Sequence, residues 1–265
     1  MDTSTVEYSL GLVRIVAYGR PHTFGELNRG WKDADSFDEV VPILHYLNLK
    51  NMAAPQVHKF NAKVGTYADF PARFSVGGCE VLTGTQLDAV VLQKGQAAGI
   101  LTRDCPTIVF YNGKTGEVVI AHAGRDSVLD RKGIAADGQT RQYESVVFSV
   151  LAFTGWNPKD ISILVCIGIG AEHFSHPFDY PLFESLNKKM IGWILQNYGS
   201  ECVAGEPEEG KIDLFALIKN QCIKAGIPSG HIQHDGVDTY TDPRFWSTRN
   251  KTKNNGLNLI VVINK

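Results

Sequence analysis

Residues 107–122 read TIVFYNGKTGEVVIAH, two apolar runs rich in β-branched residues on either side of a short polar segment. Runs of this kind, here 107–111 and 118–122, are typical of buried β-strands. The Asn-Gly-Lys-Thr-Gly segment between them is a turn signal, so the two strands are predicted to form a hairpin. This hairpin would bring the neighbourhood of Cys105 alongside that of His122.

The rest of the chain shows the same two kinds of pattern. Short apolar runs predict further strands at 12–18, 87–92, 99–102, 161–167 and 257–263. Apolar residues that recur at intervals of three and four predict helices at 37–49, 139–153, 181–198 and 212–225. Segment 203–210 is predicted to be an exposed loop, too short to separate domains. We therefore expect a single α/β (α+β-like) domain over residues 1–265, with a mixed β-sheet core covered by helices.

Composition narrows the range of partners and compartments. The formal net charge is −2, and no run of basic residues is present, which argues against nucleic-acid and anionic-membrane partners. No apolar stretch reaches the length that crosses a bilayer, and residues 1–12 do not resemble a secretory signal. The five cysteines are an odd number without a short-spaced framework. Reduced thiols and a cytoplasmic location are therefore expected.

Eight histidines and five cysteines are the candidate metal ligands, but they form no short ligand motif. His122 ends a predicted strand and precedes Ala123-Gly124, where the backbone can approach a neighbour closely. Cys105 lies between two apolar runs, beside Asp104, which could orient a ligand. These residues alone leave a metal site and two ordinary structural side chains both open. The pairs His173/His176 and His231/His234 are interpreted as loop residues, because no helix that would align them is evident.

Taken together, several segments resemble one known family, the laccase-domain family of small zinc proteins. Its members are called polyphenol oxidases, purine nucleoside phosphorylases or peptidoglycan editing factors. The matching segments, in chain order, are Gln56-Val57-His58, Leu87-Asp88-Ala89-Val90-Val91, Thr102-Arg103-Asp104-Cys105-Pro106, His122-Ala123-Gly124, Ile212-Asp213-Leu214 and Asp242-Pro243-Arg244-Phe245-Trp246-Ser247-Thr248-Arg249.

The resemblance implies that His58, Cys105 and His122 bind one metal ion. Two imidazoles and a thiolate suit zinc, with copper possible in its place, and three ligands leave a fourth position open for water or substrate. The implied partners are a small-molecule nucleoside and phosphate. The implied enzyme carries out phosphorolysis of adenosine-like nucleosides, deamination of adenosine, or both. Zinc can activate water for attack on a purine carbon.

Further site residues follow from the resemblance and from charge. Asp104 and Arg125 are the candidate catalytic residues. Arg20 and Arg249 are candidates to bind substrate or phosphate, because guanidinium matches phosphate bidentately. The alternative for Arg125 and for Arg249 is a solvated surface charge.

This chain departs from the family pattern at three places. Arg125-Asp126 stands where the family has Trp-Arg-Gly, so either the tryptophan is deleted and Arg125 keeps the cationic role, or Arg125 replaces it. Asp238-Thr239 stands in place of Cys-Thr, and Arg249-Asn250 in place of Arg-Arg.

Other functions stay open at this point. A peptidoglycan-precursor amide hydrolase could use the same zinc and water. A multicopper phenol oxidase needs His-x-His pairs, which this sequence lacks. The remaining alternative is a catalytically inert zinc-binding protein, which a cleft filled by Trp246 or Phe174 would favour.

Overall fold

The computed structural model describes residues 5–24, 39–57, 62–138, 145–253 and 255–265. The strands in these ranges are β1 (Thr5–Leu10), β2 (Val13–Tyr18), β3 (Asn51–Ala53), β4 (Val64–Thr66), β5 (Ala72–Val76), β6 (Cys79–Thr83), β7 (Ala89–Leu92), β8 (Ala97–Thr102), β9 (Thr107–Asn112), β10 (Val118–His122), β11 (Ile161–Cys166), β12 (Val203–Ala204), β13 (Lys211–Ile212), β14 (Ile232–His234) and β15 (Asn258–Asn264). The helices are α1 (Val41–Tyr46), α2 (Arg125–Val128), α3 (Arg131–Asp137), α4 (Val146–Thr154), α5 (Glu184–Tyr198) and α6 (Leu214–Lys224).

Two large mixed sheets and one two-stranded sheet organise these elements. The larger sheet has the order β1-β2-β15-β8-β3-β6-β5, and the second has the order β14-β11-β9-β10-β7-β4. Strands β12 and β13 pair with each other. The expected α/β class with mixed sheets is confirmed. The apolar strands divide between two large sheets that pack face to face, a division that the apolar runs themselves do not indicate.

The predicted hairpin is confirmed and lies in the middle of the second sheet. Strands β9 and β10 pair antiparallel, with Val118 opposite Tyr111 and His122 opposite Thr107. Val119 and Ala121 on β10 pack against the helical side, whereas Val118 and Ile120 pack against the other large sheet. Successive side chains of a strand point to opposite faces. Both faces of β10 are buried, which explains why its sequence is continuously apolar rather than alternating.

Three apolar clusters mark the layers of the molecule. The cluster between the two large sheets includes Val109 and Ile120 from one sheet and Ile260 from the other. Helices α3 to α6 cover the outer face of the second sheet through a separate cluster. Helix α1 covers the outer face of the larger sheet. The order of layers is therefore helices, sheet, sheet, helix.

The bounds of several elements differ from those predicted. Helix α6 begins at Leu214 rather than at 212, because Asp213 caps it by accepting a hydrogen bond from the Ala216 amide at 2.8 Å. Helix α5 begins at Glu184, since residues 181–183 form a turn. Segment 203–210, predicted to be a loop, contributes strand β12 and a 3₁₀ turn at Pro207–Glu209. Predictions that fall on 37–38 and 139–144 lie outside the described residues.

Among the described residues, no helix has the length and apolar character needed to cross a membrane. The assignment of residues 1–265 to one domain stays a prediction.

Candidate functional site

Cys105 and His122 meet at the open end of the β9–β10 hairpin. The hairpin register places His122 opposite Thr107, two residues after Cys105. Both side chains lie against the Cα of Gly124. A Cβ atom at position 124 would lie 2.8 Å from Cys105 Sγ and 3.1 Å from His122 Nε2. The thiol and the imidazole therefore converge on one point, and the absence of a side chain at Gly124 keeps that point open.

A buried carboxylate holds the other edge of the His122 ring. His122 Nδ1 donates to Asp88 Oδ1 at 3.1 Å, and Ser127 Oγ donates to the same oxygen at 3.0 Å. The Asp88 backbone carbonyl also accepts a hydrogen bond from the His122 amide, at 2.7 Å. With Nδ1 bound to Asp88, Nε2 is the nitrogen available to a metal. Asp88 was missed as a site residue, although it lies in a segment that resembles the family.

Electrostatics couple the two candidate ligands. Burial alone lowers the pKa of His122, but the negative charge of the Cys105 thiolate and the hydrogen bond to Asp88 outweigh it and raise the pKa to about 10. A metal ion bound to both side chains requires a deprotonated thiol and a neutral imidazole, so it would displace their protons. A thiolate beside an imidazole suits zinc or copper.

The third predicted ligand, His58, lies outside the described residues. Among the residues that are described, no group of three or more His, Cys, Asp or Glu side chains is arranged to hold a metal ion. The pair Cys105 and His122 is thus the described part of the predicted metal site.

Asp104, a predicted catalytic residue, has a clear structural role. Its Oδ1 accepts from Thr239 Oγ1 at 2.9 Å, and its Oδ2 accepts from the backbone amides of Thr248 and Arg249 at 2.8 and 3.3 Å. Asp104 therefore joins the C-terminal loop to the segment that carries Cys105. The carboxylate that orients a candidate ligand is Asp88, and a catalytic role for Asp104 stays a prediction.

Arg125 is not a solvated surface charge. Its Nη1 lies 3.0 Å from His176 Nδ1, and its Nε donates to Asp126 Oδ1 at 3.2 Å. Arg131 Nη1 donates to the same Asp126 oxygen at 2.9 Å. Burial is the main reason why the pKa of Arg125 is lowered, and Arg131 and Arg249 add to the effect. His176, interpreted from the sequence as a loop residue, is thus a contact of Arg125.

Arg249 approaches the same group from the C-terminal loop. Its guanidinium lies over the Phe174 ring, 5.4 Å from the centroid, and Nη1 donates to the Ser175 carbonyl at 3.4 Å. The ring of Phe174 in turn contacts His176 edge to face, with centroids 4.7 Å apart. Phe174 thus supports Arg249 rather than contacting Cys105 or His122.

Arg20, the other predicted phosphate ligand, contacts the segment that carries Pro243 and Trp246. Its guanidinium is 5.1 Å from the centroid of the Trp246 ring, and Nη1 donates to the Pro243 carbonyl. Trp246 donates Nε1 to the His22 carbonyl at 2.6 Å. In the described part of the chain, no hydrogen bond or ring contact joins Arg20 to Arg125 or Arg249, and its role in binding phosphate stays a prediction.

An open groove of about 580 Å³ adjoins this region. Ser175, whose carbonyl binds Arg249, contributes to its wall, together with Pro177, Phe178, Asp179, Glu208, Glu209 and Lys211. Lys211 is paired with Glu172 and Glu209, so its charge is largely compensated.

These features define a class of α/β protein in which two mixed sheets pack together and a Cys–His pair lies at a strand end. The model of the family described as multi-copper polyphenol oxidoreductase laccase matches residues 20–265, and the chain belongs to that family. No curated protein matches the sequence.

Solved structures show the same fold at low identity. Hypothetical protein YfiH of Bacillus licheniformis is 18% identical, with a TM-score of 0.68, over 96% of this chain and 93% of that one. Neisseria meningitidis protein NMB0706 (DUF152) is 17% identical, with a TM-score of 0.66, over 98% of both chains. YlmD from Geobacillus stearothermophilus is 18% identical, with a TM-score of 0.63, over 98% of this chain and 92% of that one. The resemblance seen in the sequence is confirmed at the level of family and fold.

Asp88→Ala tests whether the buried carboxylate supports a metal ligand. We expect zinc affinity, measured by competition with a chromophoric chelator, to fall about 10- to 100-fold, because His122 loses the partner that fixes its orientation. Ser127→Ala is the control, since it keeps the contact between Asp88 and His122 and should lower the affinity clearly less. Wild-type affinity in Asp88→Ala would contradict the assigned role.

Proposed function

We propose that this chain is a zinc-dependent purine nucleoside enzyme, which cleaves adenosine-like nucleosides with phosphate, deaminates adenosine, or does both. One observation carries the proposal: the Cys105–His122 pair lies beside two arginines that are tied to it by the backbone. Arg125 directly follows Gly124, which both candidate ligands contact. The amide of Arg249 donates to Asp104, the neighbour of Cys105.

The metal would be held by Cys105, His122 and His58, the last on the strength of the sequence resemblance alone. When bound, zinc with three protein ligands supplies a Lewis acid with an open position for water or substrate. The chain's own contribution is orientation. Asp88 holds the His122 ring from behind, and Gly124 leaves space on the side where the two donors meet.

The arginines supply the charge that phosphate needs. Arg125, Arg131 and Arg249 all lie close enough to His176 to lower its pKa, whereas the acidic partner in their hydrogen-bond network is Asp126. This local excess of positive charge favours a multiply charged oxyanion. The adjoining groove has the volume of an ordinary small-molecule site and could take the nucleoside.

Three other functions are alternatives to a purine nucleoside enzyme. The description of the family names copper and polyphenols, and divalent copper can outcompete zinc for thiolate and imidazole ligands. The chain lacks the His-x-His pairs of a multicopper cluster, which makes a phenol oxidase the weaker candidate. A peptidoglycan-precursor amide hydrolase would use the same metal but has no need of paired arginines. A catalytically inert zinc-binding protein would need neither.

We also propose that the protein works in the cytoplasm. Its five cysteines are free thiols, four of them buried. A thiolate ligand requires reduced cysteine, which a reducing compartment maintains.

Cys105→Ala tests the metal assignment. Elemental analysis should find about one zinc per wild-type chain and little in the variant, because the site loses its thiolate. The fold should persist, since a chain of this length does not depend on a metal for its core. Cys79→Ala removes a buried thiol elsewhere and should keep its zinc. Full zinc content in Cys105→Ala would contradict the assignment of Cys105 as a zinc ligand.

The activity is tested by incubating zinc-loaded protein with adenosine, inosine or methylthioadenosine, with and without phosphate. We expect free base and sugar phosphate, or loss of the adenine amine, and neither with Cys105→Ala. If all three nucleosides stay intact while a peptidoglycan-precursor amide is cleaved, the hydrolase reading replaces this one. If no substrate reacts, the protein is an inert zinc binder.

Arg125→Ala separates phosphate binding from the chemistry at the metal. Losing a charge-assisted hydrogen bond costs roughly 1.5–3 kcal/mol, or about ten- to a hundredfold in affinity. The KM for phosphate should rise by that factor, while zinc content and phosphate-independent deamination stay nearly unchanged. Arg73→Ala, which removes an exposed guanidinium on β5, should change none of these. Equal loss of both activities in Arg125→Ala would mean that Arg125 supports the metal site or the fold.

A further inference from the structure

His176 makes an unusual contact for a histidine next to arginines. Arg125 Nη1 lies 3.0 Å from His176 Nδ1, and a guanidinium can only donate hydrogen bonds. Nε2 lies farther from the same Nη1, at 3.5 Å, so a neutral ring that accepts through Nδ1, the nearer nitrogen, fits the contact. The surroundings favour this form. Burial, and then the charges of Arg125, Arg249 and Arg131, lower the pKa of His176 to about 3.

The contact fixes the guanidinium of Arg125 at a second point. Asp126 accepts from Nε, and His176 accepts from Nη1, so donors on two different nitrogens of the group are bound. Among the described residues, Nη2 of Arg125 has no hydrogen-bond partner. Two fixed points define the plane of the guanidinium and the direction of its remaining donors.

His176 is itself held firmly. Its backbone amide donates to the Gly210 carbonyl at 2.8 Å, and Phe174 packs edge to face on its ring. Gly210 has a φ of +60°, and a Cβ there would lie 1.9 Å from the His176 carbonyl oxygen. Only glycine allows this approach. Phe174 also carries Arg249, so His176 and Phe174 together connect the two arginines.

The choice of histidine has an electrostatic consequence. A carboxylate at this position would also accept from Arg125, but it would cancel the arginine's charge and repel an anion. A neutral acceptor orients Arg125 without adding a second negative charge to that of Asp126. This arrangement suits a site that must bind a tetrahedral oxyanion reversibly.

We propose that His176 is a positioning residue for phosphate, which as a neutral acceptor holds Arg125 in the orientation that binds the anion. The choice of phosphate as the anion rests on the proposed function. Phosphate binding can nevertheless be measured without nucleoside turnover. The role belongs to Nδ1, so an amide oxygen at the same place should replace it.

Calorimetric titration of the zinc-loaded protein with inorganic phosphate tests the role. His176→Phe keeps a ring of similar size without an acceptor and should weaken phosphate binding about tenfold. His176→Asn places its amide oxygen near the position of Nδ1 and should bind within about threefold of wild type, since it restores the acceptor. His45→Phe, on α1 and remote from the site, should have no effect. If His176→Phe does not fold, His176→Leu takes its place.

Kinetics give an independent readout. In His176→Phe the KM for phosphate should rise with little change in kcat, and His176→Asn should restore it. Wild-type phosphate affinity in His176→Phe, or equal losses in the Phe and Asn variants, would overturn the role. Phosphate binding that follows this pattern in a protein without nucleoside turnover would contradict the proposed function and leave the inference standing. No phosphate binding by the wild type would overturn the inference itself.

Discussion

The buried carboxylate of Asp88 is tied to His122 twice, and the rest of the site is arranged around that link. Its backbone carbonyl accepts from the His122 amide, and its Oδ1 accepts from His122 Nδ1 and Ser127 Oγ. A fully buried carboxylate is costly unless it is hydrogen-bonded to partners that favour its charge. This requirement holds the ends of β7 and β10 together, and it turns the free nitrogen of His122 toward Cys105. The opposed pairing of His122 with Thr107 then determines how close the two candidate ligands come.

Charged side chains of opposite sign lie on different segments of the candidate site, one set where a metal cation would bind and the other where phosphate would bind. Asp88 and the Cys105 thiolate supply negative charge where a metal cation would bind. Arg125 and Arg249 supply positive charge on the adjoining segments, reinforced by Arg131. Only two residues, Ala123 and Gly124, separate His122 from Arg125 along the chain. The proposed metal and phosphate sites would thus lie side by side, as a metal-assisted reaction of a phosphate-dependent enzyme requires.

Apolar runs predicted strands that are buried on both faces, such as β9 and β10, because such a strand is continuously apolar and needs no tertiary information to be recognised. The more exposed strands β1 and β5 were not predicted. The bounds 118–122 are those of β10, and β9 extends only one residue beyond 107–111. The division into two sheets could not be predicted, since apolar runs do not encode which strands pair. In the candidate site, the resemblance predicts Cys105, His122 and Arg125, which stay predictions, whereas His176 lies in a segment without a motif. Its role depends on a neighbour 51 residues away, which only the fold brings within reach.

The proposal depends on the binding of one metal ion by Cys105 and His122. X-ray absorption at the zinc edge of the loaded protein tests this claim most directly. We expect one sulfur at about 2.3 Å from zinc and nitrogen ligands at about 2.0–2.1 Å, with the sulfur signal absent from Cys105→Ala. A shell of oxygen and nitrogen without sulfur in the wild-type protein would contradict it, because the metal would then lie away from the hairpin end.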